Sequence, residues 1–350
     1  MMVYKHALYR FDEEQLNKII VKGFEQFKID DKLKKAKLVM IKPNLVSDVK
    51  EYIEQGSNSD IRIIEAVLKY LSKYDVKVVV AESETGTKMK GRKLKLALDY
   101  MGVTALKQKY NFDIVNLTYD KQILIKFDKS LILKKLYLGK TSLDADVIIN
   151  IPKLKTHKYA TITCALKNMF GCIPDPCRVI YHRNIHKTLA DLNTKFIDKT
   201  FVVLDGIKAM EGKGPLYGTA VDMNLIGFCD DMLINDVIAS RIMGFIPSKV
   251  LHIKYFKEKY HNINVKDIME IGDLRAKDVT RKFKPSEKNW FVKIEEQLMR
   301  NRVIVKILFS DFVRKNITYR FRKILKKFRG GSYSWYVKDE KNKINHQKKL

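Results

Sequence analysis

The chain has 350 residues, 46% hydrophobic and 31% charged, and its 68 Lys/Arg outnumber 40 Asp/Glu to give a net charge of +28. That length and apolar content exclude a disordered polymer and allow one large domain or two modest ones with a buried core. The charge favours an anionic partner: nucleic acid, an acidic membrane face or a phosphorylated compound. Four cysteines, Cys164, Cys172, Cys177 and Cys229, are too few for a disulfide scaffold. No run of about 18 apolar residues is present, and Met1-Met2-Val3-Tyr4-Lys5-His6 lacks the apolar core of a signal peptide. The expectation is a cytoplasmic protein with reduced thiols.

In chain order, residues 12–28 place Leu16, Ile19, Ile20 and Phe24 at helical spacing. Leu38-Val39-Met40-Ile41 reads as a strand leaving through Lys42-Pro43-Asn44. Asp60 is placed to cap a helix over 61–73. A strand over 76–81 exits through a small polar run, 82–87, and a helix near 94–109 and a strand at 113–117 follow. Residues 121–139 read as a β-meander, 146–151 as a buried strand, 201–206 and 224–228 as further strands, and 232–243 as a helix. Strands alternating with helices at this spacing predict an α/β fold: a mainly parallel or mixed sheet flanked by helices, with a basic helical C-terminal extension. The expected division is an α/β core over 1–250, a small subdomain or insertion over 251–300, and an amphipathic extension over 301–350.

In open α/β sheets ligands sit beyond the carboxyl ends of the strands. The polar exits predicted to gather there include Lys42 and Asn44, the run 82–87, Lys153 to His157, and Asp205 onward. Lys153, Lys155, Thr156 and His157 lie within five residues and suit a phosphate or carboxylate: lysine supplies a point charge, threonine a donor, histidine a titratable group. Residues 163–170 are predicted to be helical, with the helix N-terminus adding N–H groups and Lys167 and Asn168 lining the same loop. His182 and His186 are spaced i, i+4, so with His157 or a cysteine such as Cys172 they are candidate metal ligands. After the 201–206 strand, Asp205 to Pro215 carries Glu211 and a Gly212-Lys213-Gly214-Pro215 turn that would let backbone approach a ligand. Neither a P-loop nor a dinucleotide fingerprint is present, so ATP and NAD have no motif here. The cofactor alternatives are a metal ion or an iron–sulfur cluster.

Several segments together resemble the family catalogued as domain of unknown function 362. They are 41–46, 146–150 with 152–157, Ala165 to Gly171, His182, 190–192, 203–215, and 236–239 with Gly244, in the family's order. The resemblance nominates the matched lysines Lys42, Lys153 and Lys155 together with Asn44, His157, Lys167, Asn168, His182, Asp205 and Glu211, and implies no assigned reaction. Many members carry an added ferredoxin-like module with Cys-x-x-Cys-x-x-Cys runs; this sequence has no such run. The stretch Lys167-Asn168-x-x-Gly171-x-x-Pro174 followed by a histidine is also similar to lactate-racemase-like enzymes, which use His and Lys around a nickel-bearing nicotinic cofactor.

Residues 301–350 carry fifteen Lys/Arg against three Asp/Glu. Over 301–329 apolar residues recur at helical spacing between the basic ones, as in an interfacial membrane helix. No nucleic-acid-binding signature is present. The functional expectation is an enzyme acting on an anionic substrate, phosphorylated or carboxylated and either free or lipid-linked, with Lys42, Asn44, Lys153, Lys155, Thr156, Lys167, Asn168, Gly212 and Gly214 binding it. His157, His182, Asp205 and Glu211 would act on it. The alternatives are a metal or iron–sulfur redox carrier using His182, His186 and Cys172, and a non-catalytic peripheral membrane or polyanion-binding protein.

Overall fold

The computed structural model describes residues 4–84, 92–175, 178–261, 263–264, 267–286 and 297. The chain divides into Met1–Arg300 and Asn301–Leu350. The second unit, with the expected basic helix over 301–329, lies outside the described residues, as do residues 85–87 of the 82–87 exit.

Twelve strands are present among the described residues: β1 (Tyr4–Arg10), β2 (Leu38–Pro43), β3 (Lys77–Glu82), β4 (Asp113–Asn116), β5 (Gln122–Lys126), β6 (Lys135–Gly139), β7 (Val147–Ile151), β8 (Lys153–His157), β9 (Thr161–Thr163), β10 (Thr200–Glu211), β11 (Thr219–Cys229) and β12 (Ile268–Gly272). The main sheet runs β12-β1-β11-β10-β7-β2-β3-β4, with β8 and β9 joined to the side of β10. The neighbours from β10 to β4 are parallel, β11 is antiparallel to both β10 and β1, and β12 is parallel to β1. The sheet is therefore mixed, and the fold is α/β. Strands β5 and β6 form a separate hairpin.

The helices are α1 (Leu16–Gln26), α2 (Ile29–Leu33), α3 (Lys50–Glu54), α4 (Ile61–Leu71), α5 (Arg92–Met101), α6 (Lys140–Asp144), α7 (Ala165–Asn168), α8 (Ile185–Asn193), α9 (Met232–Ile242) and α10 (Leu251–Tyr260). The Asp60 carboxylate accepts from Arg62 N and caps α4 as its sequence position predicts. One face of the sheet packs on α1 and α4. Val39, Ile41, Val147, Ile149, Ile151, Phe201, Val203 and Phe228 join Ile20, Phe24, Ile64 and Val67 in one core. Phe24 stands edge-on to Phe201 and Tyr70, with centroids 5.1 and 4.5 Å away. Each such ring contributes about 1.5–3 kcal/mol through burial.

Strand alternation decides what faces the other way. With Val39 and Ile41 in that core, Lys42 is the next outward-alternating position, and it stands in register with Asn150. That opposite face carries α7, α8, α9 and the site.

Three local differences from the sequence reading matter. Residues 153–157, read as a loop, form a fully buried strand. Strand β10 runs on through the supposed exit after Asp205, with a register shift between Gly206 and Lys208. The segment after 250 contributes α10, and β12 extends the main sheet beside β1.

Candidate functional site

Three lysines are buried here: Lys42, Lys153 and Lys155, at 0%, 1% and 0% exposure. A buried ammonium is costly unless it is paired and hydrogen-bonded, so their partners define what is available to a ligand. Lys42 Nζ contacts the Glu82 carboxylate at the end of β3 and donates to Pro43 O at 2.9 Å. Lys153 Nζ meets Asp205 at 2.8 Å, and that carboxylate also accepts from Asp60 N at 2.6 Å and Ile207 N at 3.2 Å. Lys155 Nζ donates to the carbonyls of Ser57 (2.6 Å) and Pro215 (3.4 Å). Lys153 and Asp205 are thus bound to each other inside the fold, which argues for a structural rather than a substrate-contacting role.

An asparagine lattice ties the strand ends to α7. Asn168 Nδ2 donates to Asn150 Oδ1 (2.7 Å) and Lys42 O (3.1 Å), and its Oδ1 accepts from Asn44 Nδ2 (2.9 Å). Asn150 Nδ2 donates to Ala165 O at 3.1 Å. Gly171 lies against Glu82, and a Cβ there would stand 2.1 Å from Oε1.

The expected anion site at a helix N-terminus is not formed. The helical turn is short, and its first N–H groups, Ala165 and Leu166, donate to the Asp236 carboxylate at 2.7 and 3.0 Å. Asp236 fills the position the sequence reading left open. Within the Gly212–Gly214 turn, Gly214 meets protein, whereas a Cβ at Gly212 would meet nothing within 4 Å. Thr156 Oγ1 donates to Gly212 O at 3.0 Å, and a Cβ at Gly214 would stand 2.1 Å from Thr156 O. Glu211 accepts from Lys284 N at 3.1 Å.

Lys167 is half-buried, with Nζ 4.4 Å above the Phe170 ring and no ion pair among the described residues. Burial pushes it down to about 7, helped by Arg178 and Lys42 and opposed by Glu82. Phe170 and Tyr159 flank His182 at 5.1 and 5.0 Å, and the His182 ring stacks with that of His157 at 6.0 Å and 13°.

The hydrogen bonds of the two rings fix opposite tautomers. His157 Nδ1 accepts from Tyr159 N (3.1 Å) and Ala160 N (3.2 Å), so the neutral ring carries its proton on Nε2. His182 Nδ1 sits 3.1 Å from Val179 O and donates to it, so its Nε2 keeps a lone pair. Burial holds both rings well below the usual imidazole value, and Lys167 adds to it in each case. One ring therefore presents an N–H and the other an acceptor.

The proposed metal set does not converge. His182 belongs to the 3₁₀ turn Arg178–Asn184, whereas His186 opens α8 and stacks on His252 at 5.7 Å. Burial raises the Cys172 thiol to about 12, away from a ligating thiolate. Among the described residues no three His, Cys, Asp or Glu side chains are grouped to hold a metal; Cys177 lies outside them.

Sequence reasoning did not single out Arg178, Asn150 or Asp236, and noted Glu82 only within a polar exit. Asn150 carried a signal, as the one polar residue in Val-Ile-Ile-Asn-Ile.

Comparison with known proteins adds three findings. The thylakoid-associated protein sll1697 of Synechocystis is 34% identical over 121 residues, which is 33% of this chain and 38% of that protein. The chain thus matches well under half the length of this relative. The lactate racemase apoprotein from Thermoanaerobacterium thermosaccharolyticum superposes with a TM-score of 0.39 and 14% identity over 65% of this chain and 54% of that one. At that level no substrate or cofactor carries over. The family model "Domain of unknown function (DUF362)" matches residues 39–241, more than half of the chain, and the protein belongs to that family.

Proposed function

We propose that the protein is an enzyme that binds an anionic small molecule, phosphorylated or carboxylated, beside Lys167 and moves a proton on it with His157 and His182. The observation that carries this reading is the complementary imidazole pair, His157 and His182, with the Lys167 charge acting on both rings. His157 Nε2–H can donate to a ligand oxygen, and His182 Nε2 can accept a proton. Burial makes both rings weak bases, and an anion beside them raises their basicity. Lys42, Asn44, Asn150 and Asn168 hold the floor, and Asp236 holds α7 in place.

The test is a panel of phosphorylated and carboxylated metabolite-sized compounds. Ligands that raise the melting temperature are incubated in D₂O, and hydrogen exchange or turnover is followed by NMR. His157→Gln and His182→Gln are expected to abolish turnover while the fold and ligand binding persist. Full turnover in either variant overturns the assignment.

We also infer attachment to an anionic membrane surface through 301–329. The relative's description as thylakoid-associated and the basic, apolar-striped composition of that segment support it. No helix among the described residues is long and apolar enough to cross a membrane. Co-sedimentation with phosphatidylglycerol vesicles, lost on deletion of 301–350, is the expected result; unchanged pelleting overturns it.

A further inference from the structure

We propose that the outer face of the β5–β6 hairpin docks on an anionic membrane surface, with Leu124 and Tyr137 entering the headgroup layer and Lys126 and Lys135 meeting lipid phosphates. This goes beyond the attachment through 301–329 inferred above. It adds a second contact, on the body of the protein, and does not rest on the His157–His182 site.

The hairpin stands apart from the main sheet and has two unlike faces. Strand alternation turns Leu136 and Leu138 inward, where both are buried, and Phe127 and Leu133 are buried at the turn end. The outer face pairs Leu124 with Tyr137 and Lys126 with Lys135, directly across the two strands. Leu124 is 41% and Tyr137 52% exposed, and both lysines are exposed.

In water this face is unfavourable. Like charges directly across a ladder destabilise it, and an exposed Leu–Tyr pair leaves apolar surface in solvent. An anionic, partly apolar surface reverses both terms. The surrounding sequence points the same way: from Lys121 to Lys135 there are five lysines and one aspartate, Asp128. The side chains also select among anions. Nucleic acid is held by arginine forks and by stacked aromatic platforms. Here the cations are lysines, and leucine occupies the centre of the face. Leucine among acyl chains, tyrosine at headgroup depth and lysines reaching up to phosphate suit a membrane interface.

The hairpin is pinned to the body. The Asp191 carboxylate on α8 accepts from Leu131 N, Ile132 N and Leu133 N at 2.7, 2.8 and 2.8 Å. Tyr260 on α10 donates to the same carboxylate and stands 3.2 Å from Lys129 O. The face is therefore held ready, and docking costs little ordering of the chain. Stable but reversible attachment takes two weak signals. The hairpin and the segment 301–329 supply one each.

The test uses the full chain with vesicles of phosphatidylglycerol and phosphatidylcholine, and with vesicles of phosphatidylcholine alone. A lysine near an anionic leaflet is worth about fivefold in partitioning, so Lys126→Gln/Lys135→Gln should bind the anionic vesicles about tenfold more weakly or worse. Leu124→Ser/Tyr137→Ser should also lose about tenfold. Brief acylation read by peptide mass spectrometry should show Lys126 and Lys135 protected by the anionic vesicles and not by the neutral ones. Lys18 on α1 is the reference and should stay reactive. Unchanged partitioning of either double variant, or full reactivity of Lys126 and Lys135 in vesicle-bound protein, overturns the inference and leaves attachment through 301–329 standing. Failure of the full chain to bind anionic vesicles overturns both. Protection by duplex DNA and not by vesicles assigns the face to nucleic acid and overturns the inference. Should a double variant not fold, protection in the wild type decides.

Discussion

Replacing Asp205 with Asn tests the reading of Lys153 and Asp205 as a structural pair. Their side chains are 2% and 0% exposed, and Nζ lies 2.8 Å from Oδ2. Asparagine keeps the shape of the side chain and an oxygen for Asp60 N, which donates to Oδ2 at 2.6 Å. What it removes is the charge opposite a buried ammonium. Breaking one side of a buried pair costs about 3–5 kcal/mol, much of it from the uncompensated charge left behind. A fold stable by about 5–15 kcal/mol survives that loss, so urea unfolding can read it. Adding Lys153→Met removes the stranded charge and should recover about half or more of the loss. The double variant should bind sulfate, a probe anion for the ligand, as the wild type does, since neither residue faces the ligand. A single variant within about 1 kcal/mol of wild type, a double variant that merely sums the two losses, or a double variant that folds but has lost sulfate binding refutes the reasoning.

Gly171→Ala would set a Cβ 2.1 Å from Glu82 Oε1, whose carboxylate is held by Lys42 and Ser83 N. A loss of about 1–3 kcal/mol and weaker sulfate binding are expected; unchanged stability and affinity in calorimetry would contradict the close approach. Asp236→Ala strips the acceptor from Ala165 N and Leu166 N and should cost about 1–3 kcal/mol. Sulfate affinity should fall with it, because α7 carries Lys167 and Asn168. His261 is raised by its hydrogen bond to Asp231, the residue that also caps α9 through Leu233 N and Ile234 N. Its stabilisation is complete below the unfolded value of about 6.5 and is lost as pH rises through the higher folded value. His261→Asn should therefore lose more stability at pH 5.5 than at pH 9, and the opposite order in urea titrations would exclude this ion pair.

The parallel strands were legible because strands buried on both faces read as continuous apolar runs, as in Leu38–Ile41 and Val147–Ile151. Strand β1 was not, since Tyr4–Arg10 mixes charge with apolar residues and presents no such run. Strand β8 was hidden by its chemistry. Lys-Leu-Lys-Thr-His looks like a loop until Asp205, two carbonyls and Gly212 O satisfy its polar groups from other parts of the chain. The same long-range partners explain the site. Lys42, Asn44, Lys167, Asn168, His157 and His182 were readable at strand exits and in family order. Which of the lysines is left for a ligand was not, because that depends on Glu82 and Asp205, 40 and 52 residues away in sequence. The filling of the α7 N-terminus by Asp236, 71 residues from Ala165, had no local signal.

The central proposal is that Lys167, beside His157 and His182, is the amine that meets an anionic ligand. Competitive acylation of the full chain at pH 7.5, read by peptide mass spectrometry with and without sulfate or glycerol 3-phosphate, tests it most directly. The account predicts rapid modification of Lys167, slow modification of the buried Lys42, Lys153 and Lys155, and protection of Lys167 by the anion. Acylation of Lys167 that no phosphoryl or carboxyl anion alters would contradict it.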